Sequence, residues 1–200
     1  LINTFLSASF GMLTGLIISI AFHKKPDPMY LVLGPLAGLV SITASCNSVN
    51  SISAIIIGIL GSVIAIIVSE ILEKYEIDDV VGAVPVHLGA GIWGTLAVGL
   101  FSDLEVIGTG LTRFEQIKVQ LIGIVTIGSF AFILSMIFFK LLNKFNALRV
   151  SPLHERLGLN IAEHGQVSVE HDLINILSKQ AESGDLKTRG PQDPFTSAGV

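Results

Sequence analysis

Three long stretches of this sequence carry no Asp, Glu, Lys or Arg at all: residues 1–22, 29–69 and 80–102. Soluble domains average about a quarter charged residues. Here the share is 14%, with 50% hydrophobic residues and a mean hydropathy of +0.72. Runs of this kind suit hydrocarbon, where roughly 20 consecutive apolar residues in a helix cover a bilayer core of about 30 Å. The competing fold is a soluble all-α bundle with very apolar helices. The length of the charge-free runs counts against it.

Five apolar segments are read as membrane helices: residues 2–22, 29–48, 51–72, 82–101 and 114–139. Two lysines and two prolines within 23–28 end the first, Asn47-Ser48-Val49-Asn50 reads as a turn after the second, and charged 73–79 follows the third. The short connections make successive helices antiparallel neighbours. Lys24, Lys25, Lys74, Lys140, Lys144 and Arg149 fall on one side, and Arg113 and Lys118 on the other. The lysine-rich side is therefore expected in the cytoplasm, the N-terminal end outside and the tail inside. The fold expected is an all-α membrane protein of five transmembrane helices with a polar cytoplasmic tail.

The first apolar run has no basic residues ahead of it and lacks the form of a secretory signal; the chain is read as part of a longer one. Past residue 148 the composition turns polar. Ser151-Pro152 has the makings of a helix start, and Leu173, Ile176 and Leu177 form a short apolar stripe at helical spacing. His154, His164 and His171 are irregularly spaced with no nearby cysteine, so they give no metal signature. Cys46 is the one cysteine, which excludes an internal disulfide and reads as a packing residue. The net charge of −4 comes with no basic patch for nucleic acid. There is no Ser-His-Asp order, phosphate loop or pair of catalytic carboxylates, so neither an enzyme nor a cofactor is expected.

His87 is the residue that stands out. It lies near the middle of an apolar helix, where an ionisable group is costly unless it meets a partner or a cavity. Two readings fit: a packed neutral imidazole bonded to a helix carbonyl, or a group lining a solute path. At helical spacing Ala83, Ala90 and Gly91 share its face. Such small residues leave room beside the ring, and they equally serve close helix packing. Pro85 removes a backbone donor just before His87 and can bend the helix. Asp78 and Asp79 stand at the helix start, where capping is the preferred role over ion binding. Trp93 sits near mid-helix and reads as a packing residue rather than an interfacial anchor.

The run Ile77-Asp78-Asp79-Val80-Val81-Gly82-Ala83-Val84-Pro85-Val86-His87, continued by Leu88-Gly89-Ala90-Gly91-Ile92-Trp93-Gly94-Thr95, resembles the penultimate pore helix of the ammonium transporter family (Amt/MEP/Rh). Leu36-Ala37-Gly38-Leu39-Val40 is similar to another of its helices. Leu148-Arg149-Val150-Ser151, Gly158-Leu159-Asn160-Ile161 and Glu163-His164-Gly165 resemble its cytoplasmic tail. Asn160 and Gln166 depart from the family's usual Asp and Glu there.

The resemblance implies the second half of an eleven-helix inverted-repeat transporter: a partial membrane domain at 1–148, a transporter-type tail at 149–166 and a polar linker at 167–200. It implies a narrow apolar pore for ammonium or ammonia, lined by His87 with Ala83 and Gly91 and supported by Asp78, Asp79, Pro85 and Trp93. His87 would be the second of the family's two stacked histidines. It further implies a multi-pass plasma-membrane protein, a homotrimer, a cytoplasmic nitrogen-regulatory protein as a partner, and a regulatory role for Glu163, His164 and Gly165. The alternative is an ammonium sensor whose tail leads to a kinase or cyclase domain, because residues 182–189 faintly resemble such linkers. A membrane segment with no transport is the third reading.

The orientation is directly testable. A cysteine placed at Lys179 is expected to react with a membrane-impermeant maleimide only after intact cells are opened; labelling from outside would reverse the topology.

Overall fold

The computed structural model describes residues 1–145, 148 and 150. The described residues are mostly helical: α1 (Ile2–His23), α2 (Pro28–Ile42), α3 (Ser51–Lys74), a π-helical turn (Val84–Gly89) running into α4 (Ala90–Phe101), a short α5 (Leu104–Ile107) and the long α6 (Arg113–Phe145). Four of these helical stretches are long and apolar enough to cross a membrane: Ile2–His23, Ser51–Lys74, Val84–Phe101 and Arg113–Phe145. The chain divides into two compact units, Leu1–Ser135 and Met136–Val200. Of the second unit the structure describes the end of α6, where the Phe138 and Phe139 rings meet edge to face at 5.6 Å. The features expected of the tail, including the Ser151-Pro152 start, the stripe of Leu173, Ile176 and Leu177, and the regions 149–166 and 167–200, lie outside the described residues apart from Val150.

Local chemistry sets the helix ends. Asp27 accepts the Met29 N–H at 2.8 Å, with Pro28 in the first helical position, where its missing donor costs nothing. Asn50 caps α3 through the Ser53 N–H at 2.8 Å. Lys24 closes α1 in the left-handed conformation (φ 62°).

One expected span is shorter than its hydropathy suggests. Hydropathy carries the second apolar segment through residue 48, but α2 stops at Ile42. Its 15 residues rise only about 22 Å at 1.5 Å each. From Thr43 onward, hydroxyl and amide side chains compete for the backbone. The Thr43 hydroxyl donates to the Val40 carbonyl at 2.6 Å, and tight turns follow from Ser45 N–H to Ile42 O and from Ser48 N–H to Ser45 O. The carbonyls this frees are taken up elsewhere. Asn3 on α1 donates to Cys46 O and Val49 O at 3.0 and 2.7 Å, and the Asp103 N–H donates to Ser48 O at 2.7 Å. The turn is thus tied to α1 and to the end of α4.

Helices α1, α2 and α3 pack on one another, and α4 rests on α2 and α3. The contacts are made by small residues. A Cβ on Gly11 would lie 2.5 Å from the Gly34 carbonyl oxygen, and one on Gly34 equally close to that of Gly11. The Ser7 hydroxyl donates to Gly38 O at 2.7 Å across the same crossing. Ser41 is the pivot for α4: its hydroxyl donates to Ala90 O at 3.3 Å, and its backbone lies where a Cβ on Gly94 would go. Close backbone approach with hydroxyl hydrogen bonds is how helices adhere where lipid offers no hydrophobic drive. Among the described residues, α6 meets α4 near the start of α6. There Arg113 donates to Gly99 O at 3.1 Å and Ile117 packs on Gly99.

The close crossing predicts a sharp contrast between glycines. Gly94→Leu should destabilise the bundle by about 3 kcal/mol or more through overpacking, read as a lowered unfolding midpoint in detergent. Gly128→Ala, where a Cβ meets nothing within 4 Å, should be neutral or mildly stabilising.

Candidate functional site

The segment that carries His87 is built from its start. After α3 the chain turns through Glu76 (φ 55°) and Gly82 (φ 66°). The second needs glycine for its left-handed backbone, and a Cβ there would also meet the Leu33 side chain at 2.5 Å. Asp79 then reaches forward. Its two carboxylate oxygens accept the N–H groups of Ala83 at 2.9 Å and Val84 at 2.8 Å. Both would otherwise be orphan donors of the first turn, and the negative charge sits at the positive end of the helix dipole.

Pro85 comes next, buried and without an N–H. The Val86 N–H still bonds to Gly82 O at 3.1 Å, but the Ala90 N–H reaches back five residues to Pro85 O. One extra residue is therefore wound into the turn Val84–Gly89. Such π turns are rare and concentrate at functional sites. His87 sits inside this one.

The wider turn changes which residues share a face. His87 and Ala83 are exposed and Gly91 is half-buried. Ala90, expected beside His87, is instead fully buried in a cluster with Ala37 and Ala65. The expectation used a 3.6-residue period, and the inserted residue rotates Ala90 inward. Among the described residues the His87 ring makes no hydrogen bond, so one nitrogen is free to donate and the other to accept. Its surroundings on the open side are apolar, with Val84 36% and Leu88 55% exposed. Gly91 differs from Gly94: a Cβ on it would meet only Val40 Cγ1, at 3.9 Å. Packing among the described residues demands glycine at 94 but not at 91.

Asp78 and Pro85 line a cavity of about 240 Å³ with Met29 and Glu73, away from the open face of His87. Trp93 is half-buried; its indole N–H donates to Ile57 O at 3.0 Å, and its ring meets Phe101 edge to face. It anchors α4 to α3. Glu163, His164 and Gly165 lie outside the described residues.

One polar cluster escaped the sequence reading. Tyr30, buried on α2, donates its hydroxyl proton to Glu70 of α3. His23 Nε2 lies 3.2 Å from the same oxygen. The hydroxyl has one proton, already given to Glu70, so His23 must donate there through Nε2–H. The signal available was positional: antiparallel helices put His23, Tyr30 and Glu70 at the same end of the bundle. That they touch depends on how closely α2 packs on both α1 and α3.

The sequence model of the Ammonium Transporter Family matches residues 1–169. A candidate ammonium transporter of Synechocystis sp. is 44% identical over 199 residues, covering 100% of this chain and 37% of that protein. Ammonium transporter Amt2 of Archaeoglobus fulgidus is 39% identical over 176 residues, 83% of this chain and 38% of its own length. Among solved structures, one described as a sensor Amt protein superposes with a TM-score of 0.74 at 37% identity, over 81% of this chain and 40% of that one. The chain thus spans well under half the length of the relatives it matches.

The double cap predicts a graded loss. Asp79→Ala should cost about 1–2 kcal/mol of stability, and Asp79→Asn, which keeps one acceptor oxygen, about half of that. Thermal unfolding in detergent reads both; equal midpoints for Asp79→Ala and the parent would remove the cap from the account.

Proposed function

This chain belongs to the Ammonium Transporter Family, and we propose that it supplies one wall of a narrow apolar path for ammonium or ammonia in a longer multi-pass protein. The observation that carries the reading is His87. An ionisable ring with no bonded partner among the described residues projects from a π turn onto an apolar face that the other described residues leave open. In a membrane such a group is unfavourable against lipid. A facing segment of the longer protein that encloses a small solute resolves the conflict.

The chemistry follows from the cost of charge. Ammonium loses its hydration at great expense in an apolar passage. Passing ammonia and its proton separately lowers that expense. A neutral imidazole is suited to both, since one nitrogen accepts and the other donates. Ala83 and Gly91 leave space next to the ring. Pro85 and Asp79 hold the turn in which His87 sits, Asp78 stands beside them, and Trp93 fixes the helix behind it. Five crossings, with α2 as the short one, leave the tail in the cytoplasm of a plasma-membrane protein. The membrane part is 1–148 and the transporter-type tail 149–166. The whole assembles as a homotrimer, and Glu163, His164 and Gly165 meet a cytoplasmic nitrogen-regulatory protein.

A second reading has an observation of its own. The likeness to a structure described as a sensor favours a chain that detects ammonium and passes a signal through the 167–200 linker to a kinase or cyclase domain. Against it, the match to the Synechocystis candidate transporter takes in the whole chain, tail included.

The test is His87→Ala in the complete protein. Ammonium-dependent current should fall about 100-fold, the scale of a lost proton-transfer group, or discrimination against potassium should collapse. Assembly and unfolding midpoint should not change. Unaltered current and selectivity in a normally assembled variant would remove His87 from the path.

A further inference from the structure

Gly91 stands one turn beyond His87 on the same open side of α4, and one side chain marks the limit of the space beside it. A Cβ at 91 would meet the tip of Val40, its Cγ1, at 3.9 Å and no other described atom within 4 Å. Packing does not require glycine there, although alanine is the better helix former. The glycine leaves a gap about the size of a methyl group in front of Val40. That wall is firm. Val40 lies in the last turn of α2, where its carbonyl accepts both the N–H and the hydroxyl of Thr43. The next residue, Ser41, is fully buried, donates to Ala90 O and packs its backbone where a Cβ on Gly94 would go. Val40 thus rides on the contact that joins α2 to α4, and it cannot retreat from Gly91 without loosening that contact. Its side chain is half-buried and β-branched, a type held largely to one χ1 rotamer in a helix. Both sides of the gap are therefore set by backbone positions, not by flexible side chains.

We propose that Val40 and Gly91 form a size filter, which admits ammonium or ammonia and disfavours the same solute carrying a methyl group. The inference rests on the reading of the open face of His87 as a solute path, and it names the two residues of that face that set the width of the path. Val40 offers only methyl groups to the gap, so it separates solutes by volume and not by hydrogen bonding. One methyl or methylene group in an apolar site is discriminated about 10- to 200-fold. A rigid wall favours the upper part of that range, because overfilling a site that cannot relax forces side chains off their rotamers. The filter acts alike on the charged and the neutral form of the solute, since the methyl group is the same in both.

The test uses the complete protein in liposomes. Transport of ammonium and of methylammonium is measured on the same preparation and expressed as a ratio, which cancels the amount of protein. Val40→Ala, which removes two methyl groups from the wall, should raise the methylammonium share about tenfold. Gly91→Ala, which fills the gap, should lower it about tenfold, and its unfolding midpoint in detergent should not fall, because the new methyl group makes only an ordinary contact. Val40→Ile should also lower the share. Should Val40→Ala fail to assemble, Gly91→Ala and Val40→Ile carry the test. A ratio equal to the parent's in Gly91→Ala and in the Val40 variants, beside an impaired His87→Ala, would overturn the filter and leave the path standing. Unaltered transport in His87→Ala would remove the path, and the filter with it.

Discussion

Where lipid surrounds the chain, helices gain nothing by hiding apolar side chains from it, so the fold depends on backbones that come close enough to touch. The Gly11–Gly34 approach and the Ser7 bond to Gly38 O supply that contact for α1 and α2. Ser41 extends it to α4 through Ala90 O and the Gly94 backbone. Everything at the candidate site hangs from this pivot. With Gly94 and Ala90 pinned inward, the extra residue wound into Val84–Gly89 leaves His87 on the opposite, open face. Asp79 and Pro85 cooperate in this, one by holding the first turn's donors and the other by withholding its own.

The same logic separates structural from functional small residues. Gly94 is demanded by a neighbour's backbone, whereas Gly91 next to His87 has open space beyond ordinary contact. Among the described residues nothing uses that space. A solute path bounded by a further segment would, and the membership in a family of transporters, together with coverage of little more than a third of the relatives' length, gives that segment a source.

Much of this was legible in the sequence because charge is the cheapest feature to read in a membrane protein. The lysines and carboxylates around 23–28 and 73–79 fix the ends of α1 and α3 to within a residue or two. Hydropathy failed at residues 43–48, since Thr43-Ala44-Ser45-Cys46 counts as apolar while the Thr43 hydroxyl and the Asn3 amide divert the backbone from a helix. Pro85 signalled a disturbance but not its form. Whether the helix bends or winds in an extra residue is decided by the Asp79 cap and by the contacts that pin Ala90. The His23–Tyr30–Glu70 cluster was out of reach because Tyr30 and Glu70 are 40 residues apart and meet only through the packing of α2 on α3.

The central claim is that the open face of His87 is one wall of a path completed by helices outside this chain. The most direct measurement is ammonium-dependent current and ammonia flux in liposomes holding the 200-residue chain alone, compared with liposomes in which it is combined with the remaining helices of the full-length protein. The account predicts no flux above empty liposomes for the chain alone and recovery on combination. Flux from the chain alone that is lost on His87→Ala would contradict it, because this chain would then be building the whole path from copies of itself.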